Sequence, residues 1–213
     1  MLVMHEIFWF AMAAVALGCT PGPNMAYCLS RALCQGRLAG LLSLCGVLAA
    51  HGVYALATAL GLTALLLTAP AAFDVVRCAG VAYLLWLAWK MLRPAKTLAL
   101  PLHSAKPRPM NALSLFCMGF AINLLNPKTL LFYAALFPQF LKPERGMLFL
   151  QSLQLGAVQM VASGVVMGLL VCCASHLKTL VSGPHTGWQN APRYVMGSVF
   201  VVLALRLVTL QQA

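Results

Sequence analysis

The sequence predicts an all-α integral membrane protein of six transmembrane helices, arranged as two inverted three-helix halves with broken first and fourth helices. Three observations carry that expectation. The 213 residues are 62% hydrophobic and only 8% charged, with a mean hydropathy of +0.89, which leaves too little polar surface to enclose a soluble core. Apolar runs long enough to cross a bilayer recur along the chain. Two of them are interrupted near their middles, at Thr20-Pro21-Gly22-Pro23-Asn24 and at Asn126-Pro127-Lys128. A break in backbone hydrogen bonding is tolerated inside a membrane only beside protein or a polar cavity, so these two stretches mark a candidate binding site.

The first run covers residues 7–33, with no charge before Arg31 and its midpoint near Thr20. Cys34-Gln35-Gly36, flanked by Arg31 and Arg37, is short enough only for a hairpin between antiparallel helices. The second run extends from 38 to about 67 without a charge, longer than the roughly 20 residues one crossing needs, and is drawn as one tilted helix turning at Thr68-Ala69-Pro70. Gly40, Ser43, Gly46, Ala50 and Gly61 supply small residues for close helix packing. The third helix, about 73–91, is bracketed by Arg77 and Lys90, and Tyr83, Trp86 and Trp89 form an interfacial belt at one end. A Pro-rich basic loop follows over 93–109.

The fourth run, 111–141, carries Lys128 as its one charge and is centred near Asn126. Lys142, Glu144 and Arg145 make a polar turn into the fifth helix, about 146–175, which Gln151, Gln154, Gln159 and Ser163 make the most polar of the six. A loop over 178–193 leads to the sixth helix, about 192–210. The whole chain, 1–213, is one membrane transport domain: a first half of about 1–92, a cytoplasmic loop of about 93–109 and a second half of about 110–213. Three crossings per half force the second half to enter from the opposite face, and each half opens with its broken helix, the pattern of inverted-repeat transporters.

Charge fixes the orientation. Fourteen Lys and Arg against three Asp and Glu give a net +11, but the basic residues lie between apolar runs and are not gathered on one soluble face, which argues against nucleic acid. Alternate loops carry nine and four of the basic residues compared, placing both termini outside under the positive-inside rule. No Lys or Arg precedes the first run and no A-x-A site follows it, so it is read as a retained helix. Eight cysteines without a C-x-x-C pair are read as small apolar packing residues, with no metal site and no cofactor.

At the breaks, proline removes an N–H and frees carbonyls on the incoming side, while the outgoing half-helix restarts with uncovered N–H groups. Asn126-Pro127 has the order of an N-cap and first helical residue, and Pro23-Asn24 can restart a helix similarly. Two positive helix ends would then seat a carboxylate at the midplane, and the freed carbonyls would receive an ammonium group. Lys128 is expensive in a membrane and has no acidic residue placed to pair with it; it is deprotonated, hydrated, or waiting for an anionic substrate group. His51 is the midhelix imidazole, either a proton carrier or a histidine bonded within the bundle.

These residues resemble the lysine exporter (LysE/RhtB) family of bacterial amino-acid exporters. The likeness rests on residues 20–24, on Ser30-Arg31 with Gly36-Arg37-Leu38-Ala39-Gly40, and on Ala79-Gly80-Val81-Ala82-Tyr83-Leu84. It continues through Gly119-Phe120, Asn126-Pro127-Lys128 and Pro138-Gln139-Phe140, in order over nearly the whole chain. The resemblance implies a multi-pass exporter of the bacterial inner membrane that moves amino acids or close derivatives outward against an inward proton flow. It implies a transport path through Pro21, Gly22, Pro23, Asn126, Pro127 and Lys128. The family's third-helix motif often begins with lysine where this chain has Arg77, which keeps the charge.

A cationic side chain would need a buried carboxylate, and none is evident in the helix centres, which favours a neutral amino acid. The partners expected are that small molecule and the lipid bilayer, with room for a homo-oligomer. An enzyme is not expected: H-E-x-x-H, G-x-S-x-G and a midhelix carboxylate pair are all missing. A transmembrane thiol/disulfide electron carrier would need Cys19 and Cys117 to meet, yet Cys117 lies about 15 Å along a helix from Pro127. A metal-ion exporter would need clustered ligands, and a lysine at the site opposes it.

Overall fold

The computed structural model describes residues 2–69 and 109–174, with helical positions at intervals between 71 and 89. The predicted basic loop and sixth helix, and most of the third helix, lie outside the described residues. Every regular element among the described residues is helical: α1 (Met4–Cys19), α2 (Pro23–Gln35), α3 (Arg37–Thr68), α4 (Ala112–Leu124), α5 (Pro127–Phe140), a 3-10 turn (Pro143–Arg145) and α6 (Leu148–Cys172).

Local chemistry sets the ends. Thr20 is extended (φ −72°, ψ 123°) because Pro21 crowds a helical residue before it, and α1 stops there. Pro23 opens α2 from an extended Gly22. Gly36 alone makes the hairpin, at φ 90°, a backbone state that a side chain strains, and α3 begins at the next residue. Asn111 caps α4 by accepting from the Ser114 N–H at 2.8 Å. α4 and α5 meet at a 54° bend. The first and fourth runs are therefore broken where proline predicted, and α3 and α6 are the unbroken second and fifth.

The Arg37–Gly61 stretch of α3 and all of α6 are long and apolar enough to cross a membrane, the α4–α5 pair qualifies as one bent span, and α1 is a shorter apolar helix. Solvent preference is turned inside out. Met4 and Leu125 are each 80% exposed, while Ser43, Asn123, Gln151 and Gln159 are at 0%. Lipid accepts the first pair at no cost and offers the second set no hydrogen bonds, so they turn inward.

α3 is the spine, packing along α2, α4, α5 and α6. Its closest crossing is with α4, where a Cβ on Gly46 would overlap the Phe116 carbonyl and one on Gly119 the Ser43 carbonyl. Gly40 sits against Ala32 and Val171, and Ser43 and Ala50 are fully buried, as small-residue spacing predicts. Gly61 has no described neighbour within 4 Å of an added Cβ, and most of the predicted third helix lies outside the described residues. α1 is joined to α5 by Phe10, whose ring meets those of Phe132, Phe137 and Phe140 at 5.9, 5.4 and 5.3 Å.

The cysteines need correcting. All eight are free, but only Cys28 is buried; Cys19 is intermediate and Cys34, Cys45, Cys78, Cys117, Cys172 and Cys173 are exposed. In a bilayer an apolar thiol is as welcome on the lipid face as in the core, so burial statistics from soluble proteins misplace it.

The predicted polar turn before α6 is held by Gln151, whose side chain accepts from the Lys142 N–H at 2.8 Å and donates to the Lys142 and Gly146 carbonyls. Arg145 adds an ion pair to Glu6 at 2.9 Å, with its side chain 39% exposed. Because water screens such a pair, Arg145→Ala is expected to lower stability by less than about 1 kcal/mol. Thermal unfolding in detergent checks this; a loss of several kcal/mol would make the pair a structural clamp.

Candidate functional site

The two breaks touch. The end of α1 presents carbonyls with the partial negative charge of a helix C-terminus; Pro21 denies Leu17 O its usual donor and leaves it the Thr20 N–H at 3.1 Å, with a lone pair to spare. The Lys128 ammonium, from the first turn of α5, donates to two of them, Leu17 O at 2.8 Å and Thr20 O at 2.7 Å. Its stem runs beside Gly22, where an added Cβ would stand 3.7 Å from Cδ and Nζ. This corrects the sequence expectation on one point. The carbonyls freed by the first break are held by the protein's own ammonium, because the second break delivers Lys128 to them. At the second break the Leu124 carbonyl accepts instead from the Tyr54 hydroxyl, at 2.6 Å.

A chain of buried amides then joins the half-helix starts. Asn126 caps α5 as expected, its Oδ1 accepting from the Lys128 N–H at 3.0 Å, and its Nδ2 donates to Asn24 Oδ1 at 3.2 Å. Asn24 does not cap α2, whose N-cap is Gly22. Its Nδ2 donates to Asn123 Oδ1 at 2.6 Å, and Asn123 donates in turn to the Val47 carbonyl at 2.7 Å. The Thr129 hydroxyl also donates to Asn123 Oδ1, at 2.8 Å. The Thr20 hydroxyl turns back to its own helix, donating to Ala16 O at 2.8 Å.

Beside this network lies a cavity of about 410 Å³, its open mouth included. Thr20, Gly22, Asn24, Asn126 and Lys128 line it, so five residues predicted at the breaks converge there. Pro21, Pro23 and Pro127 are exposed and outside the lining; they shape the backbone and leave the cavity to their neighbours. His51 reaches the cavity from α3, buried, with Nδ1 3.3 Å from the Tyr133 hydroxyl, which also donates to the His51 carbonyl at 3.1 Å. Tyr133 is held by stacking on Tyr54 and Phe137. Leu17, Met25, Val47 and Met167 supply an apolar wall.

Asn123, Thr129 and Tyr133 are residues that the sequence reading passed over. Asn123 had a signal: an amide inside an otherwise apolar run, one turn before Asn126. Gln159 and Ser163 were recognised as polar but given no place, and both line the cavity. Among the described lining residues Lys128 and His51 are the basic side chains and no carboxylate is present.

Among the described residues, an all-helical bundle with an apolar exterior and a polar, lysine-bearing cavity where two broken helices meet has the architecture of a multi-pass membrane protein. The chain belongs to the LysE type translocator family, matching it over residues 5–211. It is 29% identical over 208 residues to a homoserine/homoserine lactone efflux protein of Salmonella typhimurium, across 97% of this chain and 98% of that protein. To a leucine efflux protein of Klebsiella pneumoniae it is 31% identical over 206 residues, across 95% of this chain and 94% of the relative. No solved structure matches it significantly.

Proposed function

We propose that the protein exports neutral amino acids or close derivatives across the bacterial inner membrane, by alternating access at the cavity between the two breaks. The observation that carries this is the Lys128 ammonium at a half-buried position beside the cavity, held by backbone carbonyls. A carboxylate entering there meets a positive charge and the restarted ends of α2 and α5. As it draws the ammonium from Leu17 O and Thr20 O, α1 loses its tie to α5, which links binding to movement of one half against the other. With no carboxylate among the described lining residues, a cationic side chain has no counter-charge, and the relatives named for homoserine and leucine support the neutral class.

The test is efflux of labelled leucine, homoserine, threonine and lysine from preloaded vesicles containing the purified protein, under an imposed inward proton gradient. Neutral amino acids should leave faster than from protein-free vesicles, and lysine should not. Lysine efflux at the leucine rate would refute the neutral class, and no amino-acid efflux would refute the exporter reading.

His51 is proposed to couple protons, since it lines the cavity and contacts Tyr133. His51→Gln is expected to abolish the response to the gradient while leaving exchange of internal for external leucine at close to the native rate. An unchanged gradient response would assign His51 to packing alone.

A further inference from the structure

Gln159 is the twelfth of the 25 residues of α6 (Leu148–Cys172), roughly 17 Å along the axis from its start. Only one end of its amide is engaged. Nε2 donates to Ser163 Oγ at 3.0 Å, one turn further on, while Oε1 is buried without a hydrogen-bond partner in a residue of 0% exposure. Both residues line the cavity that Lys128 lines. Folded proteins seldom leave a buried carbonyl oxygen without a donor, and in a membrane there is no bulk water to compensate. Among the described lining residues, Asn24, Asn126, Thr129, Thr20 and Lys128 direct donors to Asn123, Asn24, Asn123, Ala16 O and the Leu17 and Thr20 carbonyls respectively. A donor that enters the cavity would complete the bonding of this oxygen.

We propose that Gln159 Oε1 receives the α-ammonium group of the transported amino acid, as the second pole of a site whose first pole is Lys128. The inference rests on the exporter reading and adds the element that recognises an amino acid as distinct from any other carboxylate. Ser163 is a positioning residue: by accepting from Nε2 it fixes which end of the amide meets the cavity. An amide oxygen suits this role better than a carboxylate. It accepts from an ammonium without adding a charge, so beside a single lysine it selects a zwitterion over a dication. The substrate's side chain is left to the two methionines, whose flexible thioethers accommodate aliphatic groups of different shape.

Equilibrium binding of labelled leucine to the purified protein, with two competitors, tests the assignment. Leucinamide keeps the ammonium and lacks the carboxylate; 4-methylpentanoate keeps the carboxylate and lacks the ammonium. In the native protein 4-methylpentanoate should compete about 10- to 100-fold less well than leucine, the worth of a hydrogen bond to a charged group. In Q159L that ratio should collapse towards one, through weaker leucine binding and unchanged 4-methylpentanoate binding, while the ratio between leucine and leucinamide, set by Lys128, persists. Q159E, which keeps an acceptor, should preserve the preference for the ammonium. Should Q159L fail to fold, Q159N carries the same test, because it withdraws the oxygen by one methylene and should also lose the ratio. A native ratio in Q159L or Q159N overturns the assignment and leaves the exporter reading standing. Absence of amino-acid binding by the native protein overturns both.

Discussion

Lys128→Met is expected to reduce amino-acid efflux by a factor of at least about 100 while the protein still inserts and folds. Methionine keeps most of the stem that runs beside Gly22 and removes only the ammonium. Truncating one partner of a buried charge pair costs about 2–5 kcal/mol, and a hundredfold, about 2.8 kcal/mol, lies in the lower part of that range. Stability should move much less. The Leu17 and Thr20 carbonyls lose a charge-assisted donor, but the bundle no longer has to hold a partly buried cation, and the two effects oppose one another. Efflux per folded molecule, measured beside thermal unfolding, separates the roles. A variant that transports normally but unfolds early would make Lys128 a latch on α1 and nothing more.

How much of this was legible beforehand depends on whether the backbone or the side chains set the feature. Proline fixes its own geometry, so Pro21, Pro23 and Pro127 located both breaks to the residue, and Gly36 located the hairpin. Asn126 as an N-cap was legible for the same local reason. What linear order did not disclose is which freed group finds which partner. Lys128 lies 108 residues from Thr20 in sequence, and nothing near either residue says that the ammonium of one break satisfies the carbonyls of the other. The cysteines show a second limit: small or apolar residues look alike whether they face a neighbouring helix or lipid, so their pattern cannot sort the two faces.

Asn123→Leu is expected to destabilise the protein by about 3–5 kcal/mol, more than loss of any other single amide in the network. Leucine keeps the four-atom branched shape of asparagine and is the bulkier of the two, so the loss does not come from a cavity. Three groups lose their partner together: the Val47 carbonyl, the Thr129 hydroxyl and the Asn24 amide, all around a residue of 0% exposure. Single intramembrane hydrogen bonds average about 0.6 kcal/mol and reach about 1.7, and a buried group left unsatisfied adds about 1–3. Asn24→Ala should cost less, because it leaves Asn123 bonded to Val47 and Asn126 still capping Lys128. Unfolding of purified protein in mixed micelles by added dodecyl sulfate gives both values, and the double variant gives their coupling, expected at about 1 kcal/mol or more for side chains in direct contact. Additive effects would mean that the asparagines serve their own helices separately. Strong coupling would make Asn123 the joint through which the first break senses the second, since from its place on α4 it is bonded to α2, α3 and α5 at once.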